Sequence, residues 1–174
     1  MPYVAVIIPA FNEEQAIVKV LAAIPKHLNP IIIVVNNNST DKTEKVALEA
    51  GATVVTELKQ GYGYACLAGI DYIAQNALPI DIIVFLDADY SDYPEEMTML
   101  IAPILANEAD LVIGSRNLKP LPAGAMNIVQ RFGNWLATRL IKFFYKTAFT
   151  DLGPFRAIEY SKLLQLKMKD TTYG

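Results

Sequence analysis

Asp87 and Asp89 stand one residue apart, directly after the apolar run Ile82-Ile83-Val84-Phe85-Leu86. In an extended segment, side chains i and i+2 point to the same side, so the two carboxylates can converge on one hard cation while Ala88 faces away. A cation held that way suits a diphosphate ligand, whose oxygens complete its shell. Two more polar clusters follow apolar runs: Pro9-Ala10-Phe11-Asn12-Glu13-Glu14, and Asn36-Asn37-Asn38-Ser39-Thr40-Asp41-Lys42-Thr43. Each taken singly also reads as turn and cap chemistry. Together, at the ends of neighbouring strands, they could receive a nucleotide, with base and ribose on the first two loops and metal and diphosphate on the third.

The elements that would position these loops alternate along the chain. Strand-like runs go from Val4 to Ile8, Ile31 to Val35, Thr53 to Thr56, Ile82 to Leu86 and Leu111 to Ile113, with helix-like stretches between most of them. That alternation predicts an α/β fold with a mostly parallel sheet, in which ligands bind beyond the carboxyl ends of the strands. Asn12 is expected to cap a helix starting at Glu13, Ser39 or Thr40 to cap one through Lys45 and Leu48, and Gly51 to follow a helix end. Pro94-Glu95-Glu96 opens a further helix, which Pro103 should kink or divide. Gly61-Tyr62-Gly63 precedes a helix-like stretch from Tyr64 to Gln75; the glycines serve either a close approach to phosphate or a plain turn.

A chain of 174 residues with 53% hydrophobic content can bury a core, and we expect a single domain over 1–174, with a nucleotide and metal half over 1–116 and an acceptor-side part over 117–174. The loop Asn117 to Ala125, rich in proline, separates the two, and the chain stops at Asp170 to Gly174 without an evident closing element, as a shortened chain would. The single cysteine, Cys66, excludes an internal disulfide framework and suits a reducing cytoplasm. No basic leader precedes the first strand, and every apolar run is broken well before the roughly 20 residues a membrane span needs. His27 is the only histidine, which sets histidine-based metal and triad chemistry aside.

The formal charge of −3 argues against a general nucleic-acid binder. Its distribution says more. The forty residues between Asp110 and Asp151 hold no acid but six basic residues, Arg116, Lys119, Arg131, Arg139, Lys142 and Lys146, so the remainder carries nine basic against eighteen acidic side chains. One segment is built to meet anions. Within it, on a helix, Arg139, Lys142 and Lys146 form one stripe opposite Leu136, Leu140 and Phe144, which suits either an ordinary surface helix or peripheral membrane contact through 134–149.

The order of these motifs carries a resemblance. Val-Ile-Ile-Pro-Ala-Phe-Asn-Glu-Glu, the Asn36 to Thr43 loop, Gln60-Gly61-Tyr62-Gly63, Asp87-Ala88-Asp89, Gly114-Ser115-Arg116 and Asp151-Leu152-Gly153-Pro154-Phe155-Arg156-Ala157 resemble family 2 glycosyltransferases, most of all the dolichol-phosphate mannose synthase branch. The resemblance implies the GT-A fold and an enzyme that moves a hexose, with inversion, from a nucleoside-diphosphate sugar of the GDP-mannose or UDP-glucose type to an acceptor such as a polyprenyl phosphate. It implies Mg²⁺ or Mn²⁺ on Asp87 and Asp89, and places Pro9, Phe11, Glu13, Val35 and Asn37 around base and ribose. Ala88 and Ser91 would join the metal loop, Arg116 would meet the donor phosphates and Arg131 an acceptor phosphate. Many relatives have Asp-Asp-Gly-Ser where this chain has Asn36-Asn37-Asn38-Ser39, and mannose synthases can have glutamine where it has Ser91. A nucleotide-sugar-binding module without turnover, and a sugar nucleotidyltransferase, are the alternatives. The latter usually has a glycine-rich basic loop after the first strand, which Pro9 to Glu13 is not.

Overall fold

Runs without polar alternation offer no face to water, and those of β1 (Val4–Ala10), β2 (Ile31–Asn36) and β4 (Ile82–Phe85) are largely buried on both sides here. The computed structural model describes residues 2–114 and 153–171. The chain divides into two units, Met1–Val112 with Phe155–Gly174, and Ile113–Pro154. The first holds nearly all of the sheet and its helices.

Six strands make one sheet among the described residues: β1 (Val4–Ala10), β2 (Ile31–Asn36), β3 (Thr53–Thr56), β4 (Ile82–Phe85), β5 (Leu111–Ile113) and β6 (Arg156–Glu159), in the order β3-β2-β1-β4-β6-β5. β1 pairs in parallel with β2 and β4, and β2 with β3, in registers such as Ala10 with Asn36 and Ile7 with Phe85. The five expected strands are present, within two residues at their ends. The sixth was not expected: β6 runs antiparallel to β4, with Phe85 opposite Arg156.

Among the described residues the helices are α1 (Ile17–Ala23), α2 (Thr43–Glu49), α3 (Tyr62–Gln75), α4 (Met97–Leu105) and α5 (Tyr160–Leu166). Alternate residues of β1 feed two cores. Val4, Val6, Ile8 and Ala10 pack with Ile17, Val20 and Leu21 of α1 and Met97, Ile101 and Ile104 of α4. Ala5 and Ile7 pack with Ala65, Cys66, Ile70 and Ile73 of α3 and Leu163 of α5. Helices thus cover both faces, as a parallel sheet requires.

Some local expectations are corrected. Asn12 does not cap a helix at Glu13: it takes φ +57°, and α1 begins four residues later with Ala16 at its cap position and no side-chain cap. Neither Ser39 nor Thr40 caps α2; Asp41 Oδ1 accepts from Thr43 N at 2.9 Å instead. Pro94–Glu96 form a 3-10 turn before α4, and α4 passes through Pro103 to end at Leu105. Gly51 follows α2 as expected, its N–H bonded to Leu48 O at 2.9 Å.

Candidate functional site

Because β1, β2 and β4 are parallel, the three polar loops leave the same edge of the sheet. β1 leads in sequence to β2 on one side and lies against β4 on the other, so the order reverses between them, and in open α/β sheets that switch point is the crevice that takes ligands. The loop after β1 and the turn after β4 flank that crevice.

The loops after β1 and β2 are laced to each other, mostly by side-chain oxygens accepting from backbone N–H groups. Asn12 N donates to Ser39 Oγ at 3.1 Å and Glu13 N to Thr43 Oγ1 at 2.7 Å. Glu14 N donates to Asp41 Oδ2 at 3.1 Å, while Glu14 Oε2 accepts from Lys42 N at 2.9 Å. Asn12 Oδ1 accepts from Thr40 N at 2.8 Å. Burial alone would raise the Asp41 carboxyl, but bonds from the Thr43 hydroxyl and N–H and from Glu14 N–H hold it below its ordinary value.

The asparagines after β2 also have fixed partners. Asn36 donates to Glu44 Oε2 at 2.7 Å and accepts from Ser39 N at 3.1 Å. Asn37, buried, donates to Glu57 O at 3.2 Å and Lys59 O at 2.7 Å and accepts from Gly61 N at 2.8 Å. Its amide therefore fastens the end of β2 to the loop that leads into α3. Val35 is wholly buried and offers no side-chain surface to a ligand, whereas Phe11 is 48% exposed at the mouth of the edge.

After Phe85 the chain leaves the strand, and Ala88-Asp89-Tyr90 form a turn rather than the extended segment expected. Asp87 is half-buried, Ala88 buried and Asp89 exposed. Asp89 Oδ1 accepts from Ser91 N at 2.8 Å, an Asx turn that orients the carboxylate. The nearby Glu13 carboxyl is pushed above its ordinary range by burial, then by the charges of Asp89 and Asp41. That excess of negative charge fits a cation, and so does a hard oxygen donor set. Among the described residues no group of three His, Cys, Asp or Glu could hold a metal alone. Two carboxylates, with water and ligand oxygens completing the shell, match how Mg²⁺ and Mn²⁺ are commonly carried beside phosphates.

Behind Asp87, on the α3 side of the sheet, lie two groups that sequence reasoning missed. Arg156 opens β6 at the carboxyl edge of β4, with its guanidinium 5.8 Å from the centre of the Phe85 ring. Among the described residues, Arg156 Nε and Tyr62 Oη are shut off from solvent with no partner at hydrogen-bond geometry. Burial raises the Tyr62 phenol well above its ordinary value, the Cys66 thiol and Asp87 add to this, and Arg156 opposes it. Cys66 is pushed up to about 12, again chiefly by burial. In the sequence Arg156 stands out only as part of the motif from Asp151 to Ala157. A four-residue strand with polar ends leaves little pattern to read.

α3 begins at Tyr62 rather than Tyr64, and its two opening glycines, Gly61 at the cap position and Gly63 in the first turn, meet protein rather than open space. A Cβ on Gly63 would lie 2.5 Å from Asp170 O, and Tyr64 N donates to Thr171 O at 3.2 Å. The segment after α5 thus caps α3, which favours the turn reading of Gly61-Tyr62-Gly63. Pro9 pairs in register with Val35. Ser91 is exposed beside the acid turn. Arg116, Arg131 and the 134–149 segment lie outside the described residues. His27 is exposed, with Nε2 3.3 Å from Thr98 Oγ1, away from these loops in sequence and partner.

The family model for glycosyl transferase family 2 matches residues 5–165. An uncharacterized glycosyltransferase of Mycobacterium tuberculosis is 35% identical over 171 residues, spanning 98% of this chain and 74% of that protein. A UDP-N-acetylglucosamine–dolichyl-phosphate N-acetylglucosaminyltransferase of Methanococcus voltae is 29% identical over 146 residues, 74% of this chain and 57% of its own. Among solved structures, glucosyl-3-phosphoglycerate synthase from Mycobacterium tuberculosis, in complex with Mn²⁺, UDP-glucose and phosphoglyceric acid, superposes with a TM-score of 0.67 at 26% identity, over 92% of this chain and 57% of that one. The α/β sheet with helices on both faces is the GT-A architecture of those structures. With the strand order, the three loops at one edge and the family match in agreement, the chain belongs to glycosyl transferase family 2.

Proposed function

We propose that this chain transfers a hexose from a nucleoside-diphosphate sugar to an anionic acceptor, with Mg²⁺ or Mn²⁺ carried by Asp87 and Asp89. The observation that carries the reading is the acid turn at the crevice between β1 and β4, next to a Glu13 carboxyl that burial, and after it the charges of Asp89 and Asp41, push above its ordinary range. The solved relative with Mn²⁺ and UDP-glucose supports the same donor class and metal.

The roles follow from position. Phe11, exposed at the loop mouth, supplies an aromatic face for a base, and the laced loops with Pro9, Glu13, Val35 and Asn37 hold that face in place. Asp87, Ala88, Asp89 and Ser91 form the phosphate end. A bound divalent cation neutralises charge that grows on the leaving diphosphate. The acceptor oxygen attacks the anomeric carbon from the side opposite the diphosphate; the bond to the diphosphate oxygen breaks, its electron pair leaves with that oxygen, and the configuration inverts. Arg116 would meet donor phosphates and Arg131 an acceptor phosphate, since guanidinium forks pair with phosphate oxygens.

The acceptor we favour is a polyprenyl phosphate. It is already ionised near neutral pH and attacks without a general base, whereas a hydroxyl needs a carboxylate within about 3 Å. The relative named for a dolichyl-phosphate acceptor supports this. The acid-free stretch between Asp110 and Asp151, with its six basic residues, supports an anionic acceptor as well. Among the described residues no helix is long and apolar enough to cross a membrane. A second reading, transfer to a small phosphorylated acid, is favoured by the phosphoglyceric acid in the solved relative.

A thermal-shift series with UDP- and GDP-sugars and Mn²⁺ identifies the donor, because a ligand that binds the folded state raises the melting temperature. Transfer assays with that donor then compare polyprenyl phosphate with phosphoglycerate. Metal-dependent transfer to the lipid phosphate is expected. Donor binding without any turnover, including hydrolysis, would instead mark a binding module.

A further inference from the structure

The acid turn passes through a strained residue. Tyr90 has φ +62°, in the left-handed region where glycine or asparagine is the usual occupant and a bulky side chain is an outlier. Such conformations persist where the surroundings over-determine them, and they gather at functional sites. Here the surroundings are visible. The Tyr90 ring packs against the core on the α1 and α4 side of the sheet. Over its face lies Lys19 Nζ, from the third residue of α1, 3.8 Å from the ring centre, well within cation–π range. On either side, Ala88 is buried and Asp89 Oδ1 is bonded to Ser91 N. A glycine at this position would relax the backbone but give Lys19 nothing to hold.

α1 follows directly on the loop of Phe11 and Glu13, so the stack also ties that loop's helix to the acid turn. We propose that Tyr90, clasped by Lys19, is a positioning residue that sets the Asp87 and Asp89 carboxylates in their metal-binding arrangement before cation and diphosphate arrive. This rests on the reading of that pair as the metal carrier. Tyr90 acts through the turn and touches neither reactant. Its effect is preorganisation: the free turn already has the bound shape, so less ordering is charged against binding.

The test is Mn²⁺ titration of the full chain, alone and with UDP, followed by the paramagnetic resonance of free Mn²⁺ and paired with melting temperatures. Tyr90→Gly, whose backbone tolerates this φ, should weaken Mn²⁺ about tenfold, as loss of an outer-shell partner does, while the melting temperature moves by a few degrees at most. Lys19→Met gives the sharper sign. Electrostatics alone predicts that deleting a nearby cation tightens Mn²⁺ binding; the clasp predicts weakening. Tyr90→Phe keeps the ring and should bind as the parent does. Because Lys19 is exposed on a helix, that variant folds even if the glycine variant does not. Saturable parent binding that Asp89→Ala abolishes, but that Tyr90→Gly and Lys19→Met leave unchanged or tighter, sinks the clasp alone. No saturable Mn²⁺ binding in the parent, with or without UDP, sinks the metal reading and the clasp together.

Discussion

The two sides of the crevice are held by different means. On the β1 and β2 side, backbone N–H groups of each loop are satisfied by side chains of the other, from Ser39, Thr43 and Asp41 to Asn12 and Glu14. On the β4 side, the turn rests on a buried alanine, an Asx bond and a strained tyrosine under a lysine. The first arrangement is redundant, so no single bond decides the loop's shape. The second concentrates its geometry in a few groups and presents carboxylates whose charge, felt at Glu13, a cation would offset. A nucleotide recognised by the first side would meet a finished surface, whereas the metal turn should respond to what binds it.

If that contrast is right, the largest effect belongs to the turn. Asp89→Ala should lower transfer about a thousandfold while leaving the melting temperature almost unchanged, because the side chain serves the ligand rather than the core. A comparison of kcat with thermal denaturation separates the two. Next comes Asn37→Asp, which installs the residue that many relatives have at this position. It should nonetheless destabilise the fold by about 2–3 kcal/mol, since it removes both donors to the Glu57 and Lys59 carbonyls and sets a carboxylate against them. Urea denaturation measures this, and an unchanged midpoint would show the amide bonds to be dispensable.

Thr43→Val is a smaller step. Thr43 is wholly buried, and its hydroxyl accepts from Glu13 N at 2.7 Å. Loss of that acceptor and of the hydroxyl's own bond to Asp41 Oδ1 should cost about 1–3 kcal/mol, damped if the neighbouring bonds of the lattice hold Glu13 and Asp41 in place. Stability loss without loss of Mn²⁺ affinity would sharpen the contrast; a drop in both would break it.

The smallest effect is on pH dependence. Glu13 has its folded pKa raised above 4.5 by burial, then by Asp89 and Asp41, so its contribution favours the fold at lower pH and is lost as pH rises through the raised value. Asp41, held below 3.8 by its hydrogen bonds despite burial, works the other way, and its contribution is lost as pH falls through the lowered value. Glu13→Gln should therefore flatten the melting curve's pH dependence just above pH 4.5 and leave the acid limb, set in part by Asp41, as it was.

Much of this was legible in the sequence. β1, β2 and β4 declared themselves because they are largely buried on both faces and so carry unbroken apolar runs; β3 and β5, less buried, showed only as short β-branched or apolar runs between polar stretches, and the resemblance ordered the loops around them. The caps were misread because Asn12, Ser39 and Thr40 have the right chemistry for helix starts but spend it across the gap between two loops, a partnership no local window contains. The Asp87 to Asp89 geometry was misread for a related reason: the strand ends at Phe85, and a tyrosine at positive φ gives no warning of a turn. β6 and Arg156 were missed because a short strand that pairs with β4 from about seventy positions away, at Phe85 with Arg156, leaves no periodic trace.

One buried group has a use that comes from its isolation. Cys66 is the chain's single thiol, 2% exposed on α3, with its pKa pushed up to about 12. Thiolate is the reactive form, so in the closed protein this sulfur is chemically silent at neutral pH. Any labelling by a thiol reagent then times the parting of α3 from the sheet. The molecule carries its own clock for that opening, one that would run slower if a bound nucleotide held the crevice shut.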